Sequence, residues 1–190
     1  MQEAVPIGVG AMAAILGLDA NDVEALANDA ALGEICVIAN DNSPGQIVLS
    51  GHVGAIERAI ALAPERGAKR AIPLAVSAPF HCDLMKPAAV TMATALKDTH
   101  MNEAHKPIMS NVTAMPVKEV SLIRTLLTDQ VTSRVRWREI GLNLGSLGVT
   151  TVLELGAGKV LTGLIKRIDP NLNALAINTP EDVNAFLKTL

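Results

Sequence analysis

Length, composition and charge exclude several classes of function for this chain. It has 190 residues, of which 49% are apolar but only 2% aromatic, and its formal net charge is −3. Such a chain can bury a core of aliphatic and methionine side chains in one large or two small domains, but it lacks the basic surplus and stacking aromatics of nucleic-acid-binding proteins.

The first part of the chain alternates between strand and helix patterns. Short apolar runs predict strands, and apolar residues at helical spacing predict the helices between them. The turn-rich sequence at 40–45 joins two of these strands as a hairpin. Over residues 6–76 the predicted order is β-α-β-β-α-β, the split βαβ unit of ferredoxin-like folds. The predicted strands are 10–18, 35–39, 46–50 and 70–76, and the predicted helices are 21–31 and 53–63.

The remainder of the chain has an α/β pattern with few strands. Asp83 and Ser121 are predicted to cap the first two helices. Parallel strands need a sheet to join, and only two or three strands are found after residue 76, so we expect 77–190, with 1–5, to form part of a larger α/β domain. The predicted helices are 84–99, 121–129, 137–147, 160–168 and 181–190, and the clearest strands are 149–155 and 174–177.

His81 is the histidine whose position most favours chemistry. It follows the apolar run 72–76 and Pro79, which restricts the backbone, so we expect it to lie where a strand ends and just before a helix. Junctions of this kind hold site residues in α/β folds. Two interpretations stay open, a proton shuttle or a hydrogen-bonded structural histidine.

Other motifs give weaker signals. Cys82, beside His81, is a conceivable thiol nucleophile, but neighbours in an extended segment point to opposite sides. No Gly-x-Ser-x-Gly elbow occurs in the chain. The turn at 156–159 lacks the full phosphate-loop pattern, which favours tight loop packing over nucleotide binding. We expect His52 at the surface, and the spacing of His100 and His105 does not suit a zinc pair.

Cysteine usage and the N-terminal sequence indicate the compartment. Cys36 and Cys82 match no metal or redox spacing, which is typical of reduced, buried thiols in a cytoplasmic protein. The chain starts without the charged and apolar regions of a leader, and no apolar run approaches the roughly 18 residues of a spanning helix. We therefore expect a cytoplasmic protein with neither a membrane partner nor a metal site.

Several stretches of the sequence together carry a resemblance to one enzyme family. The stretches are Met-Gln-Glu-Ala-Val-Pro at 1–6, Gly-Ala-Met-Ala-Ala at 10–14, Asn-Asp-Asn-Ser-Pro-Gly-Gln at 40–46, Ser-Ala-Pro-Phe-His at 77–81, Ser-Asn-Val-Thr at 110–113, Gln130 with Val-Arg-Trp at 135–137, and Glu-Leu-Gly-Ala-Gly-Lys at 154–159. In this order they span nearly the whole chain, and they resemble the malonyl-CoA:acyl carrier protein transacylases of fatty-acid synthesis. The resemblance implies an α/β fold with a ferredoxin-like βαββαβ subdomain, residues 6–76, and the C-terminal part of an α/β-hydrolase-like acyltransferase domain.

The same resemblance implies roles for four residues. His81 corresponds to the family's catalytic histidine, which takes a proton from the serine that attacks the malonyl thioester. A backbone carbonyl at the position of Gln130 orients that ring, as Asp does in serine-protease triads. Met1 resembles a residue that lines the acyl pocket, and Asn42 faces the same cleft. The implied substrates are malonyl-CoA and the phosphopantetheinylated acyl carrier protein, and no cofactor is implied.

The family's remaining machinery does not map onto this sequence. Its serine elbow, its oxyanion-hole loop and the arginine that clamps the malonyl carboxylate all precede the stretch with which this chain begins. We therefore expect the chain to correspond to a C-terminal portion, to have a missing N-terminal half as partner, and to be inactive alone. A non-catalytic fragment or a carrier-protein-binding module is the alternative.

Overall fold

A computed structural model describes residues 2–189, whose backbone forms two compact units. One unit extends to Trp137 and the other begins at Arg138. None of the helices within residues 2–189 has the length and apolar character needed to cross a membrane. The strands are β1 (Gly10–Leu16), β2 (Cys36–Ser43), β3 (Gln46–His52), β4 (Arg70–Pro73), β5 (Ile108–Met109), β6 (Pro116–Val117), β7 (Thr151–Leu155) and β8 (Asn173–Ile177). The helices are α1 (Ala20–Ala31), α2 (Val53–Leu62), α3 (Lys86–Asp98), α4 (Val120–Asp129), α5 (Trp137–Ser146), α6 (Val160–Ile168) and α7 (Pro180–Leu187).

The first four strands form one antiparallel sheet in the order β2-β3-β1-β4. Helices α1 and α2 connect its strands in the predicted β-α-β-β-α-β order. Asp19 caps α1 by accepting a hydrogen bond from the Asp22 amide at 2.9 Å. The main hydrophobic cluster of this unit contains the fully buried side chains Ile15, Leu26, Leu49 and Ile56. The domain boundary predicted at residue 76 stays a prediction. The boundary between the two compact units lies between Trp137 and Arg138.

Strand β2 lies at the edge of this sheet, and the segment after α4 contacts it. Register shifts interrupt the β2–β3 pairing between Ile38 and Asn40 and again between Asp41 and Ser43. Beside these irregularities the Val135 amide donates to the Ala39 carbonyl at 2.7 Å, and the Val135 carbonyl accepts from the Asp41 amide at 2.8 Å. The bridge covers part of an exposed edge, a region that sheets commonly protect. It also fixes where the chain runs after α4.

Helices α3 and α4 complete the first unit, and their caps differ from the prediction. Helix α3 starts at Lys86 after a short 3-10 turn at Asp83–Met85, so Asp83 is not its cap. Helix α4 is capped by Glu119, whose carboxylate accepts from the Ser121 and Leu122 amides at 2.8 and 2.7 Å. The predicted Ser121 cap was therefore wrong, because the helix already begins at Val120 and free amides of its first turn bond to the Glu119 carboxylate.

The second unit contains a two-stranded parallel sheet, β7 and β8, with α5, α6 and α7. Glu154 at the end of β7 accepts hydrogen bonds from the Leu161 and Thr162 amides at 3.1 and 2.7 Å. The amides that an anion would need at the start of α6 are thus bonded to the chain's own carboxylate. The turn at 156–159 itself is exposed, and a Cβ on Gly156 or Gly158 would meet nothing within 4 Å, so the expectation of tight loop packing was wrong.

Candidate active site

The segment 77–85 is anchored by packing against the first sheet. Phe80 packs against the cluster of Met12, Ala39 and Val48 on the sheet. Pro79 is fully buried. A Cβ on Gly10 would lie only 2.2 Å from the Cγ atom of Pro79, so the proline ring can approach β1 only because residue 10 is glycine. The segment is therefore held against the start of β1.

His81 lies in a loop with a left-handed backbone conformation. Strand β4 ends at Pro73, so the expectation that His81 directly follows a strand was wrong. Its φ angle is 61°, in a region that non-glycine residues adopt rarely and at a cost of roughly 1–3 kcal/mol. Such strain persists only where the surrounding structure enforces it. The packing of Pro79 and Phe80 provides that enforcement.

The Nδ1 atom of His81 lies 3.2 Å from the backbone carbonyl oxygen of Gln130. A carbonyl only accepts hydrogen bonds, so this contact places the ring proton on Nδ1 and leaves Nε2 free to accept a proton. Gln130 is the C-cap of α4, where the last carbonyls lack partners within the helix.

Three residues near the contact between His81 and Gln130 belong to one buried cluster. Val131, which follows Gln130, packs with Ala78 and Met85, which flank His81 in the chain. Met85 is fully buried, and Val131 is 5% exposed. The apolar contacts therefore bring the end of α4 to the 77–85 segment across 49 positions of sequence. The structure thus joins two of the residues that the family resemblance singled out.

Asn111 fixes the chain beyond Gln130, a role that the sequence did not predict. Its side-chain amide donates to the Arg134 carbonyl at 2.8 Å, and its oxygen accepts from the Arg136 amide at 2.8 Å. The Arg136 guanidinium in turn donates to the Val112 carbonyl at 2.8 Å. The Ser-Asn-Val-Thr stretch at 110–113 had been noted only as part of the family resemblance. Its sequence does not indicate which residues Asn111 contacts.

Cys82 is not an available nucleophile. Its side chain is 1% exposed, and its Sγ atom donates to the Pro79 carbonyl at 3.2 Å. Burial raises the pKa of the Cys82 thiol, so the reactive thiolate is disfavoured at neutral pH. Burial likewise raises the pKa of Cys36 to about 11. Burial therefore excludes Cys82 as a nucleophile, whereas the sequence argument assumed an extended segment and the backbone at His81 is left-handed.

His81 and its neighbours line a groove of about 530 Å³. The opposite wall is formed by the end of α1 and the start of β2, and Thr132 and Arg134 complete it. Asn42 does not line this groove; it lies in the β2 irregularity between Asp41 and Ser43. Met1 is outside the described residues. The roles of Asn42 and Met1 at a substrate cleft stay predictions.

The other histidines have different environments. The Nδ1 atom of His52 accepts a hydrogen bond from the Ile35 amide at 2.9 Å, and the residue is half-buried. The expectation of a surface residue was therefore wrong, since its ring joins the end of β3 to the segment before β2. His100 is exposed and contacts the Asn102 side chain. Within residues 2–189 no group of three His, Cys, Asp or Glu side chains is placed to hold a metal ion.

The curated proteins described next, to which the chain is similar, have the same name. The chain is 45% identical over 191 residues to the malonyl CoA-acyl carrier protein transacylase of Bacillus subtilis, covering 100% of this chain and 60% of that protein. It is 45% identical to the protein of the same name from Escherichia coli K12, covering 99% and 61%. No model of a protein family matches the chain.

Solved structures agree with these relatives. An acyl carrier protein S-malonyltransferase from Vibrio cholerae superposes with a TM-score of 0.95 at 44% identity, over 98% of this chain and 61% of that one. A malonyl-transacylase solved in complex with its type II PKS acyl-carrier protein has a TM-score of 0.96 at 42% identity, over 100% and 61%. The chain therefore spans about 60% of the length of the relatives it matches.

Proposed function

Because the chain is homologous along its whole length to the malonyl CoA-acyl carrier protein transacylases, we propose that it contributes to the transfer of a malonyl group from coenzyme A to the phosphopantetheine thiol of an acyl carrier protein. The proposal is for an acyltransferase that uses an acyl-serine intermediate, with His81 as the base. The observation that carries it is the contact between His81 Nδ1 and the Gln130 carbonyl, which leaves Nε2 available.

In the first half-reaction His81 Nε2 takes the proton from a serine hydroxyl. The serine oxygen forms a bond to the malonyl thioester carbon, and the carbon–sulfur bond then breaks. The imidazolium of His81 returns its proton to the departing coenzyme A thiol. The carbonyl at the end of α4 stabilises the imidazolium that exists between these proton transfers.

In the second half-reaction the same group acts on the carrier protein. His81 Nε2 takes the proton of the phosphopantetheine thiol, whose sulfur attacks the malonyl-serine ester. The carbon–oxygen bond breaks, and the proton passes from His81 to the serine oxygen. Donor and acceptor thiols are chemically alike, so one base at one position serves both directions of the exchange.

The nucleophile in this proposal lies outside the present chain. No serine of the chain occurs in a Gly-x-Ser-x-Gly elbow, and the relatives are longer than the chain. We propose that the serine, the oxyanion donors and the carboxylate-binding arginine belong to the portion of the relatives that this chain does not span. Asn42 and Met1 are proposed to face the acyl group from this chain, and no cofactor is required.

A chimera tests the proposal. The chain is fused to the portion of the Bacillus subtilis transacylase that it does not span, and malonyl transfer from malonyl-CoA to the holo carrier protein is measured. We expect transfer by the chimera and none by the 190-residue chain alone. In other enzymes, loss of the oxyanion donors or of the nucleophile lowers the rate by factors of roughly 10² to 10³ or more each.

His81→Asn is the informative variant in this chimera, because asparagine tolerates the left-handed backbone at position 81 better than alanine. We expect a rate roughly 10²- to 10⁴-fold lower, the usual contribution of a general base. His105→Asn, at an exposed histidine of the same unit, is the matched control and is expected to leave the rate unchanged. Full turnover by His81→Asn would remove His81 from the mechanism, and malonyl labelling of a serine in the lone chain would contradict the placement of the nucleophile.

A further inference from the structure

Gln130 contacts His81 through its side chain as well as its backbone. The Nδ1 atom of His81 lies 3.2 Å from the Gln130 carbonyl oxygen and 3.3 Å from the Gln130 side-chain nitrogen. The other side-chain atom, Oε1, is buried and has no hydrogen-bond partner in the structure. The resemblance accounted for the backbone carbonyl alone, so the side-chain contact is an additional feature of the site.

The two contacts compete for one ring atom. The carbonyl only accepts, so it requires a proton on Nδ1, whereas an amide NH₂ group only donates and requires a lone pair there. The carbonyl cannot turn away, because it belongs to the backbone at the end of α4. A half-turn of the side-chain amide removes the conflict by bringing Oε1 to Nδ1. It breaks no existing bond of Oε1, since that oxygen has no partner.

We propose that the Gln130 side chain is a positioning residue whose amide oxygen is a second acceptor for the Nδ1 proton of His81. The backbone carbonyl and the side-chain oxygen then share one donor. This arrangement favours the neutral tautomer with a free Nε2, and it places two partial negative charges beside the imidazolium that proton uptake creates. Gln130 thereby takes, with an uncharged side chain, the orienting part that a carboxylate takes in serine-protease triads.

This inference rests on the proposed role of His81 as base, but it can be tested without substrate. The tautomer of a neutral histidine is read from the ¹⁵N chemical shifts of its two ring nitrogens. The full 190-residue chain is labelled with ¹⁵N-histidine and measured near pH 8, well above the ordinary imidazole pKa of about 6.5. His81→Asn identifies the His81 signals among those of the four histidines.

The chain contains its own reference for the opposite tautomer. His52 Nδ1 accepts from the Ile35 amide at 2.9 Å, so its proton must be on Nε2. We expect His81 to show the Nδ1–H tautomer and His52 the Nε2–H tautomer in the same spectrum. Unchanged His52 signals in a variant also show that the unit containing both histidines has kept its fold.

Gln130→Met keeps the length of the side chain and removes both amide atoms, while the backbone carbonyl remains. We expect the Nδ1–H to Nε2–H ratio of His81 to fall roughly 2- to 12-fold, the effect of one ordinary hydrogen bond. Gln130→Glu, which presents only acceptors, is expected to keep or raise the ratio. Gln46→Met, the same change on β3, is the matched control and is expected to leave it unchanged.

Two results would overturn the inference. A higher Nδ1–H fraction in Gln130→Met would mean that the side chain donates to the ring, and an unchanged ratio in both Gln130 variants would mean that it has no influence on the tautomer. Neither result depends on turnover. The proposed function fails in a different experiment, namely by full turnover of the His81→Asn chimera, so the two failures are distinguishable.

Discussion

At the scale of single residues, the site depends on one strained backbone position and one absent side chain. His81 has a φ angle of 61°, which the burial of Pro79 beside it enforces. That proline in turn contacts β1 where Gly10 has no Cβ. Gly10, which lies 71 positions before His81, therefore helps to determine the orientation of the imidazole. Nothing in the local sequence around His81 discloses that dependence.

Gly10→Ala tests this dependence. The new methyl group would lie 2.2 Å from Pro79 Cγ and 2.7 Å from its Cβ, so the ring or the strand must move. We expect a loss of about 1–3 kcal/mol in the free energy of unfolding, measured by urea titration, and a change in the His81 NMR signals. Gly163→Ala is the control, since its Cβ has open space and a helical alanine is favoured. An equally stable Gly10→Ala protein with unchanged His81 signals would show that the turn does not depend on this contact.

At the scale of elements, hydrophobic periodicity predicted most helices and strands within a few residues. It failed where side-chain reach decides the end of an element, as at Glu119, which caps α4 in place of Ser121. It also failed at β4, predicted to continue to residue 76, because the strand ends at Pro73. The contact of His81 with Gln130 joins residues 49 positions apart, so only the family resemblance indicated it. Local patterns contain no information on such a pair.

Helix α6 provides a pH-dependent test of a cap. Hydrogen bonds from Thr162, and then from the Leu161 amide, lower the pKa of the Glu154 carboxyl below its ordinary value. A lowered pKa in the folded state means that the stabilisation is present above the unfolded pKa of about 4.3 and is lost as the pH falls through the folded value. We expect Glu154→Gln to increase the exchange rates of the Leu161 and Thr162 amides at pH 7.

The same comparison at low pH supplies the control for this prediction. Once Glu154 is protonated, the wild-type carboxyl and the glutamine amide are both uncharged acceptors, so the difference between the two proteins is expected to shrink. The amide of Glu34, an exposed residue of the other unit, is expected to exchange at the same rate in the variant and the wild type. A difference that stays constant from pH 7 to below pH 4 would show that the charge of Glu154 does not stabilise the start of α6.

At the scale of the whole molecule, the two units differ in how completely their sheets are built. The sheet of β1 to β4 has four strands, and its main hydrophobic cluster contains many fully buried side chains. The sheet of β7 and β8 has two parallel strands, and Leu155 at the end of β7 is 74% exposed. Parallel sheets are normally covered on both faces, and two strands alone are marginally stable. We infer that β7 and β8 need neighbours from the part of the relatives that this chain does not span.

Hydrogen exchange of the lone chain tests that inference. Local stability ranges from near zero to the global value, so the amides of β1 and β3 are expected to exchange slowest, and those of 149–177 much faster. In the chimera with the Bacillus subtilis portion, protection of 149–177 is expected to rise while that of β1 and β3 changes little. Protection of 149–177 that already equals that of β1 and β3 in the lone chain would show that the second unit is stable without added strands. The inactivity expected of the lone chain would then result from the absence of the nucleophilic serine, and not from instability of this unit.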